Sequence, residues 1–270
     1  MIEDFEKVVG NDYKNVKVEY NFHSHDYLCK HAVGDVYDYV NVAVQNGLKV
    51  IGISDHAIFP ALYGAHLPYL DVKDIDALYL PQFEKAEKAF SGDIKIKKGI
   101  EIEYFDGNDD VYKKLLEKLD YLILGEHFVP YNGGWSFAFS SHTEEEAIYL
   151  YDVMIKGVKS GYFKICAHPD VVFSGVCPKT EKTLAKMDEL ISECVDNGVL
   201  VELNANGIRS NGWRYPTDEL VEICKKRNAK VIVSSDNHKP EYLCDDYMKK
   251  LLCYAYKKGL NVAKAEDINV

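Results

Sequence analysis

The chain lacks any apolar run of about 18 residues, which excludes a membrane-spanning helix. Arginine is scarce: Arg209, Arg214 and Arg227 are the whole supply, and no Lys/Arg stripe accompanies them. Together with a net charge of −11, this argues against nucleic acid as a partner. There is no CxxC pair, and seven cysteines is an odd count. Cys29, Cys166, Cys177, Cys194, Cys224, Cys244 and Cys253 therefore read as reduced, packed thiols of a cytoplasmic protein. The acidic start Met1-Ile2-Glu3-Asp4-Phe5-Glu6 lacks the basic-then-apolar order of a signal peptide. Internal repeats, low-complexity tracts and interdomain linkers are also missing. What remains is 270 residues of ordinary globular composition, 47% hydrophobic and 28% charged. That is the size of one α/β barrel, so residues 1–270 are expected to form a single domain.

Strand-like and helix-like segments alternate along the whole chain. Strands are expected near 18–22, 50–53, 94–102, 121–124, 163–167, 199–203 and 230–234. Between them lie helical patterns, such as 35–46 with Val36, Val40, Ala43 and Val44 at helical spacing and Gly47 as the stop. Thr143-Glu144-Glu145-Glu146 reads as a capping box, and Thr180 and Thr217 as further N-caps. Seven strands, each followed by a helix or a long loop, predict a distorted (β/α)7 TIM-like barrel. An open doubly wound sheet is the alternative, but it would not gather six strand ends in one pocket.

Six of the nine histidines sit where those strand-like runs end: His23, His25, His56, His127, His168 and His238. His31 follows in the loop after the first strand, while His66 and His142 fall in other loops. Glu101 ends the third run and Asp236 the last. A parallel barrel carries all of its C-terminal strand ends to one rim. His23 and His25, two apart, point to one face and can reach one ion. Imidazoles with carboxylates suit Zn, Mn or Fe. Cys29 and Cys166 lie near these positions and are candidate soft ligands. The spacing points to a multi-metal hydrolase.

The set His23-x-His25, His31-Ala32, Ser54-Asp55-His56, Gly99-Ile100-Glu101, His127, His168-Pro169 and Asp236-x-His238 resembles the polymerase and histidinol phosphatase (PHP) family. Segments 29–34, 97–105 and 204–209 resemble its histidinol-phosphatase branch. The resemblance spans about residues 18 to 245. It implies a trinuclear centre: His23, His25, Glu101 and Asp236 on one ion, Glu101, His127 and His168 on a second, and His31, His56 and His238 on a third. It also implies hydrolysis of a phosphomonoester by a metal-bridging hydroxide, with Asp236, His238 and Glu101 catalytic and L-histidinol phosphate as substrate. Three divalent ions against one Glu and one Asp leave a cationic pocket within an acidic protein.

A phosphomonoester dianion wants an Arg fork beyond the metals. Arg209 is expected to supply it, with Arg214 beside Trp213 as a further candidate and Arg227 as a surface residue at a helix end. Asn206 and Tyr104, with Glu103 and Asn204, are expected to line the pocket. Asp55 is expected to orient a ligand imidazole. Two features depart from the family pattern. Residues 57–70 are apolar and aromatic (Phe59, Tyr63, Tyr69) and lack a basic residue, and Gly125-Glu126 replaces a Ser-Val-type pair before His127. These keep open another phosphate ester, whether a nucleotide, an oligonucleotide end or phosphotyrosine. A metal-dependent amidohydrolase or an inactive metal-binding barrel fits the ligand set less well.

Overall fold

The computed structural model describes residues 4–210, 215–265 and 268. Seven parallel strands stand side by side in the order of the chain: β1 (Tyr20–Asn21), β2 (Val50–Ile58), β3 (Lys95–Ile102), β4 (Tyr121–Leu124), β5 (Ile165–Cys166), β6 (Leu200–Asn204) and β7 (Lys230–Ser234). The expected curled parallel barrel is the observed architecture. Helices Val36–Gln45, Leu80–Ala89, Asp109–Leu116, Glu144–Lys159, Glu181–Asn197, Asp218–Arg227 and Asp246–Lys257 surround the sheet. Among the described residues no helix is long and apolar enough to cross a membrane.

Two apolar layers follow from the period-2 geometry of strands. Val50 of β2 belongs to an inner cluster with Tyr20, Tyr121, Ile123, Ile165, Leu200 and Ile232. Its neighbours Ile51 and Ile53 belong to the larger cluster under the helices. The Tyr121 ring crosses the barrel floor and its hydroxyl donates to the Phe22 carbonyl at 2.6 Å. Gly99 makes room for it, since a Cβ there would lie 2.2 Å from the ring. Above this floor the inward positions turn polar: Ser54 and His56 on β2, Glu101 on β3, Glu202 and Asn204 on β6. The β2–β3 register sets His56 directly beside Glu101.

The barrel closes unevenly. A short strand β8 (Asn261–Val262) pairs with the start of β7, and Tyr20 donates to the Ala263 carbonyl at 2.6 Å. Higher up, β1 and β7 meet through one parallel bridge, Ser24–Asn237. The Val33 N–H also donates to the His238 carbonyl at 3.0 Å, and side chains add to the joining. Ser24 Oγ donates to Asn237 Oδ1 at 2.7 Å, the Ser235 N–H to Asn21 Oδ1 at 2.7 Å, and Asn21 Nδ2 to Ser24 Oγ at 2.7 Å.

Several local features differ from expectation. β2 runs on to Ile58, and Leu70–Asp71 pairs with its end, so residues 57–70 are partly ordered. A hairpin, Phe128–Tyr131 with Gly134–Phe137, follows β4. Its Asn132-Gly133 turn has positive φ at both residues (50° and 79°), the geometry that Asn-Gly favours between antiparallel strands. The Thr143 cap forms, but Glu146 does not return to it. Its carboxylate instead accepts from Ser136 of the hairpin and lies 3.3 Å from His142.

Candidate metal centre

The polar strand ends converge on one carboxylate. Glu101 Oε2 lies 3.1 Å from His23 Nε2, 3.5 Å from His25 Nε2 and 3.0 Å from His56 Nδ1. Glu101 Oε1 lies 3.2 Å from His168 Nε2 and 3.6 Å from His127 Nε2. Asp236 Oδ1 lies 3.1 Å from His25 Nε2, and His238 Nε2 is 3.0 Å from His31 Nε2. Gly125 leaves the space for Glu101, because a Cβ there would sit 2.2 Å from Oε1. This accounts for the glycine of the Gly-Glu departure before His127, while Glu126 accepts from the Tyr104 N–H at 3.0 Å. Two of the converging residues, His168 (φ 27°) and Asp236 (φ 44°), hold left-handed backbone, strain of the kind that clusters at functional sites.

A second layer of acceptors fixes the rings. Glu202 Oε1 lies 2.7 Å from His23 Nδ1, and Glu103 Oε1 lies 3.3 Å from His127 Nδ1. Asp55 Oδ1 lies 3.5 Å from His25 Nδ1 while accepting from the His56 N–H at 2.9 Å, and the Cys29 carbonyl is 2.9 Å from His31 Nδ1. With Nδ1 bonded outward to an acceptor, the rings of His23, His127 and His31 present Nε2 inward, the arrangement that orients imidazole toward a metal, whereas His25 Nδ1 faces Asp55 without a hydrogen bond. Glu202 does more. Its Oε2 accepts from the His168 N–H at 3.0 Å and from Asn204 Nδ2 at 2.8 Å, and Asn204 Nδ2 also donates to Asp236 Oδ2 at 2.9 Å.

Electrostatics point the same way. Burial alone would raise the Glu101 carboxyl, but His23, His127 and His56 hold it well below the usual carboxylate range. Burial pushes His56 down to about 3 despite Glu101. His127 is pushed up to about 9, because Glu101 and Glu103 outweigh its burial. Neighbouring positive rings help to lower His25 below its ordinary value after burial has done most. Glu101, Glu202 and Asp236 raise His23 as well despite its burial, so the chain alone holds some of these imidazoles charged and others neutral; carboxylates ringed by imidazoles are a cation site.

The donor set fits a divalent metal. Four groups have their ligand atoms within 4.8 Å of one another: His23 with His25 and Asp236, His56 with Glu101 and His127, His25 with His56 and His238, and Cys29 with His31 and His238. Buried atoms His23 Nε2, His25 Nε2 and Glu101 Oε2 make no hydrogen bond. Leaving such atoms without partners costs about 1–3 kcal/mol each, which a first-row divalent ion would offset. His56 faces Glu101 and His127 as well as His238, so the groups overlap more than three separate ligand sets. Cys29 reaches one group, whereas Cys166 reaches none among the described residues.

A cavity of about 650 Å³ opens above the cluster. His31, His56, His127, His168, Asp236 and His238 form its floor. Its remaining lining is Tyr69, Phe137, Phe139, Asn206, Ser210 and Tyr215.

The structure corrects two expected substrate contacts. Arg209 does not face the cavity. Its guanidinium donates to Asp245 through Nε (2.7 Å) and Nη2 (3.2 Å) and to the Ser235 carbonyl at 3.1 Å, and it packs over the Tyr242 ring. The short helix Ala205–Arg209 turns it toward the start of the last helix. Tyr104 also faces away. Glu101 and Glu103 take the inward positions at the end of β3, so Tyr104 stacks on Tyr112 and donates to Asp106 at 3.0 Å. Arg214 and Trp213 lie outside the described residues. Glu103 and Asn204 stand behind the cluster rather than on the cavity wall, and Asn206 does line it. Sequence reasoning misses Glu202, although a glutamate inside the apolar run Leu200-Val201-Glu202-Leu203 is itself a signal. His66 is exposed, and His142 is buried against the Ala138 carbonyl at 3.0 Å.

Comparison with known proteins bears on the whole barrel. The PHP domain family model matches residues 19–206. The chain is 26% identical over 235 residues to the probable histidinol-phosphatase of Deinococcus radiodurans, covering 81% of this chain and 85% of that protein. It is 23% identical to the histidinol-phosphatase of Bacillus subtilis, covering 80% and 92%. Among solved structures, the histidinol phosphate phosphatase of Lactococcus lactis, complexed with Zn, L-histidinol and phosphate, superposes with a TM-score of 0.67 at 18% identity, covering 90% of this chain and 95% of that one.

Proposed function

The chain belongs to the PHP domain family, and from that premise we propose that it is a metal-dependent phosphomonoesterase acting on L-histidinol phosphate to give L-histidinol and phosphate. The observation that carries this reading is the convergence of five strand-end histidines on the Glu101 carboxylate, with Asp236 and His238 beside them, under an open cavity. The names borne by the Deinococcus and Bacillus relatives, and the Zn, L-histidinol and phosphate complexed with the Lactococcus protein, support the substrate. The reading takes residues 1–270 as one cytoplasmic domain with a small phosphorylated substrate and no nucleic-acid partner.

Three divalent ions are proposed, with Zn, Mn and Fe all compatible with the donors. His23, His25, Glu101 and Asp236 would hold one, Glu101, His127 and His168 a second, and His31, His56 and His238 a third. When bound, such ions supply a nucleophile at neutral pH and neutralise charge developing on phosphoryl oxygens. The chain's own residues do the positioning. Glu202 and Glu103 hold the outer faces of His23 and His127, and Asp55 stands beside His25. Asp236 and His238 face the cavity and meet the phosphoryl group. Glu101 lies beneath them, its charge balanced by the surrounding rings, and Asn206 offers a polar contact on the wall.

The test is phosphate release from L-histidinol phosphate by protein reconstituted with Mn or Zn, beside glycerol phosphate at equal concentration, with bound metal counted per chain. Strong preference for histidinol phosphate supports reaction and substrate together. Weak turnover of both esters with about three metals per chain keeps phosphoester hydrolysis and discards this substrate. No turnover by metal-loaded protein discards both.

A further inference from the structure

A phosphoryl group spreads negative charge over several oxygens during transfer, and each calls for a donor or a cation. Among the described residues no lysine or arginine lines the cavity. Arg209 is committed to Asp245. The donors on the wall are neutral: Tyr69, Asn206, Ser210 and Tyr215. Ser210 already donates to the Gly207 carbonyl at 3.2 Å. Tyr69 is half-buried and lies flat on His56, with centroids 4.5 Å apart and planes 14° apart. Tyr215 is the buried one, 4% exposed, with its ring 5.8 Å from that of His168. Its hydroxyl makes no hydrogen bond among the described residues.

The chain fixes Tyr215 from two sides. Gly207, in the short helix after β6, gives it a bed. A Cβ there would lie 2.2 Å from the Tyr215 carbonyl oxygen and 2.4 Å from ring atom Cδ2. On the other side, the Thr217 N–H donates to Asp170 Oδ2 at 2.6 Å. Asp170 is buried two residues after His168, so the end of β5 carries both the imidazole and the anchor of the tyrosine segment. Phe139 meets the Tyr215 ring edge-on at 6.1 Å. Burial, and then the carboxylates of Asp236, Glu202 and Glu101, push the hydroxyl well above its ordinary range, so it is a donor rather than a phenolate.

We propose that the Tyr215 hydroxyl donates a hydrogen bond to a non-bridging phosphoryl oxygen on the His168 side of the centre, in place of the arginine fork that the sequence predicts. The inference rests on the phosphomonoesterase reading and adds to it a residue that touches the reacting group. A buried hydroxyl without an acceptor is costly, and a phosphoryl oxygen entering over His168 offsets that cost. The hydroxyl keeps its proton throughout. Its bond strengthens as negative charge grows on that oxygen, which is how a fixed donor lowers a barrier.

The test is Tyr215→Phe, which removes one oxygen and keeps the ring, in protein loaded with Mn or Zn. Phenyl phosphate serves as substrate, because it reports on the phosphoryl group whatever the natural alcohol. Orthovanadate, which adopts the five-coordinate geometry of phosphoryl transfer, serves as inhibitor. We expect kcat/KM to fall about a hundredfold and the orthovanadate inhibition constant to rise, with metal per chain unchanged. A tyrosine that only packs against His168 keeps that role as phenylalanine, so an inhibition constant that stays at the wild-type value overturns the proposal. Loss of bound metal in Tyr215→Phe overturns it too, by assigning the hydroxyl to the support of His168. Metal-loaded wild type that neither hydrolyses the ester nor binds orthovanadate instead removes the reading on which the proposal rests.

Discussion

The floor and the mouth of the cavity are built on opposite principles. On the floor, charged and polar groups sit on strand ends, and most ring nitrogens there meet an acceptor or another ligand. At the mouth, uncharged rings sit on a hairpin and loops, pinned by hydrogen bonds between backbone and side chain. The floor fixes which atoms are brought together; the mouth fixes what can approach them. Catalytic constellations generally need rigid elements beneath them, while selectivity is carried by the loops above.

Substitutions should separate the two, and the largest effects belong to the floor. Asp236→Asn keeps shape but loses a charge beside His25, and it should lower kcat on the order of a thousandfold with unchanged circular dichroism. Near-normal turnover would remove Asp236 from the centre. Glu202→Gln should weaken metal binding by about 10–100-fold, read by metal retained after dialysis against a chelator series. Wild-type retention would show that His23 needs no such support. At the mouth, Glu146→Gln releases the hairpin and His142 without touching a ligand. It should raise KM a few-fold and leave metal content alone, so a change in metal content would mean that floor and mouth are not separable. Arg209→Ala belongs to neither. It leaves Asp245 without its partner, so it should cost about 1–3 kcal/mol of stability, seen as a lower melting temperature, with KM for a phosphomonoester unchanged.

The floor is far more legible in the sequence than the mouth. Strand ends announce themselves, because an apolar run that stops at His or Asp marks the point where a strand leaves the core for the rim, and a parallel barrel brings all such stops together. β1 and β5 are only two residues long, yet this does not matter, because their ends still reach the same rim. Arg209 defeats sequence reasoning because the sequence shows that a loop follows β6, not which way its side chains turn. Tyr104 falls one step of strand alternation away from the inward face. The hairpin is readable from Asn132-Gly133 between Tyr131 and Gly134, but its position over the cavity depends on Ser136 and His142 meeting Glu146, a tertiary contact with no local signature.

The seam between the first and last strands has a consequence for how the barrel holds shut. One bridge, a Val33 N–H to His238 carbonyl bond and two side-chain hydrogen bonds cross it, and His23 and His25 stand on one bank with Asp236 and His238 on the other. An ion shared across that gap would be a clasp as well as a reagent, tying together chain segments more than 200 positions apart. Its grip would add to the free energy of folding. Chelation would then be felt as an unbuttoning that starts at Asn237 and the neighbouring amides, whose hydrogen exchange should quicken before that of the distant strands β3 and β4.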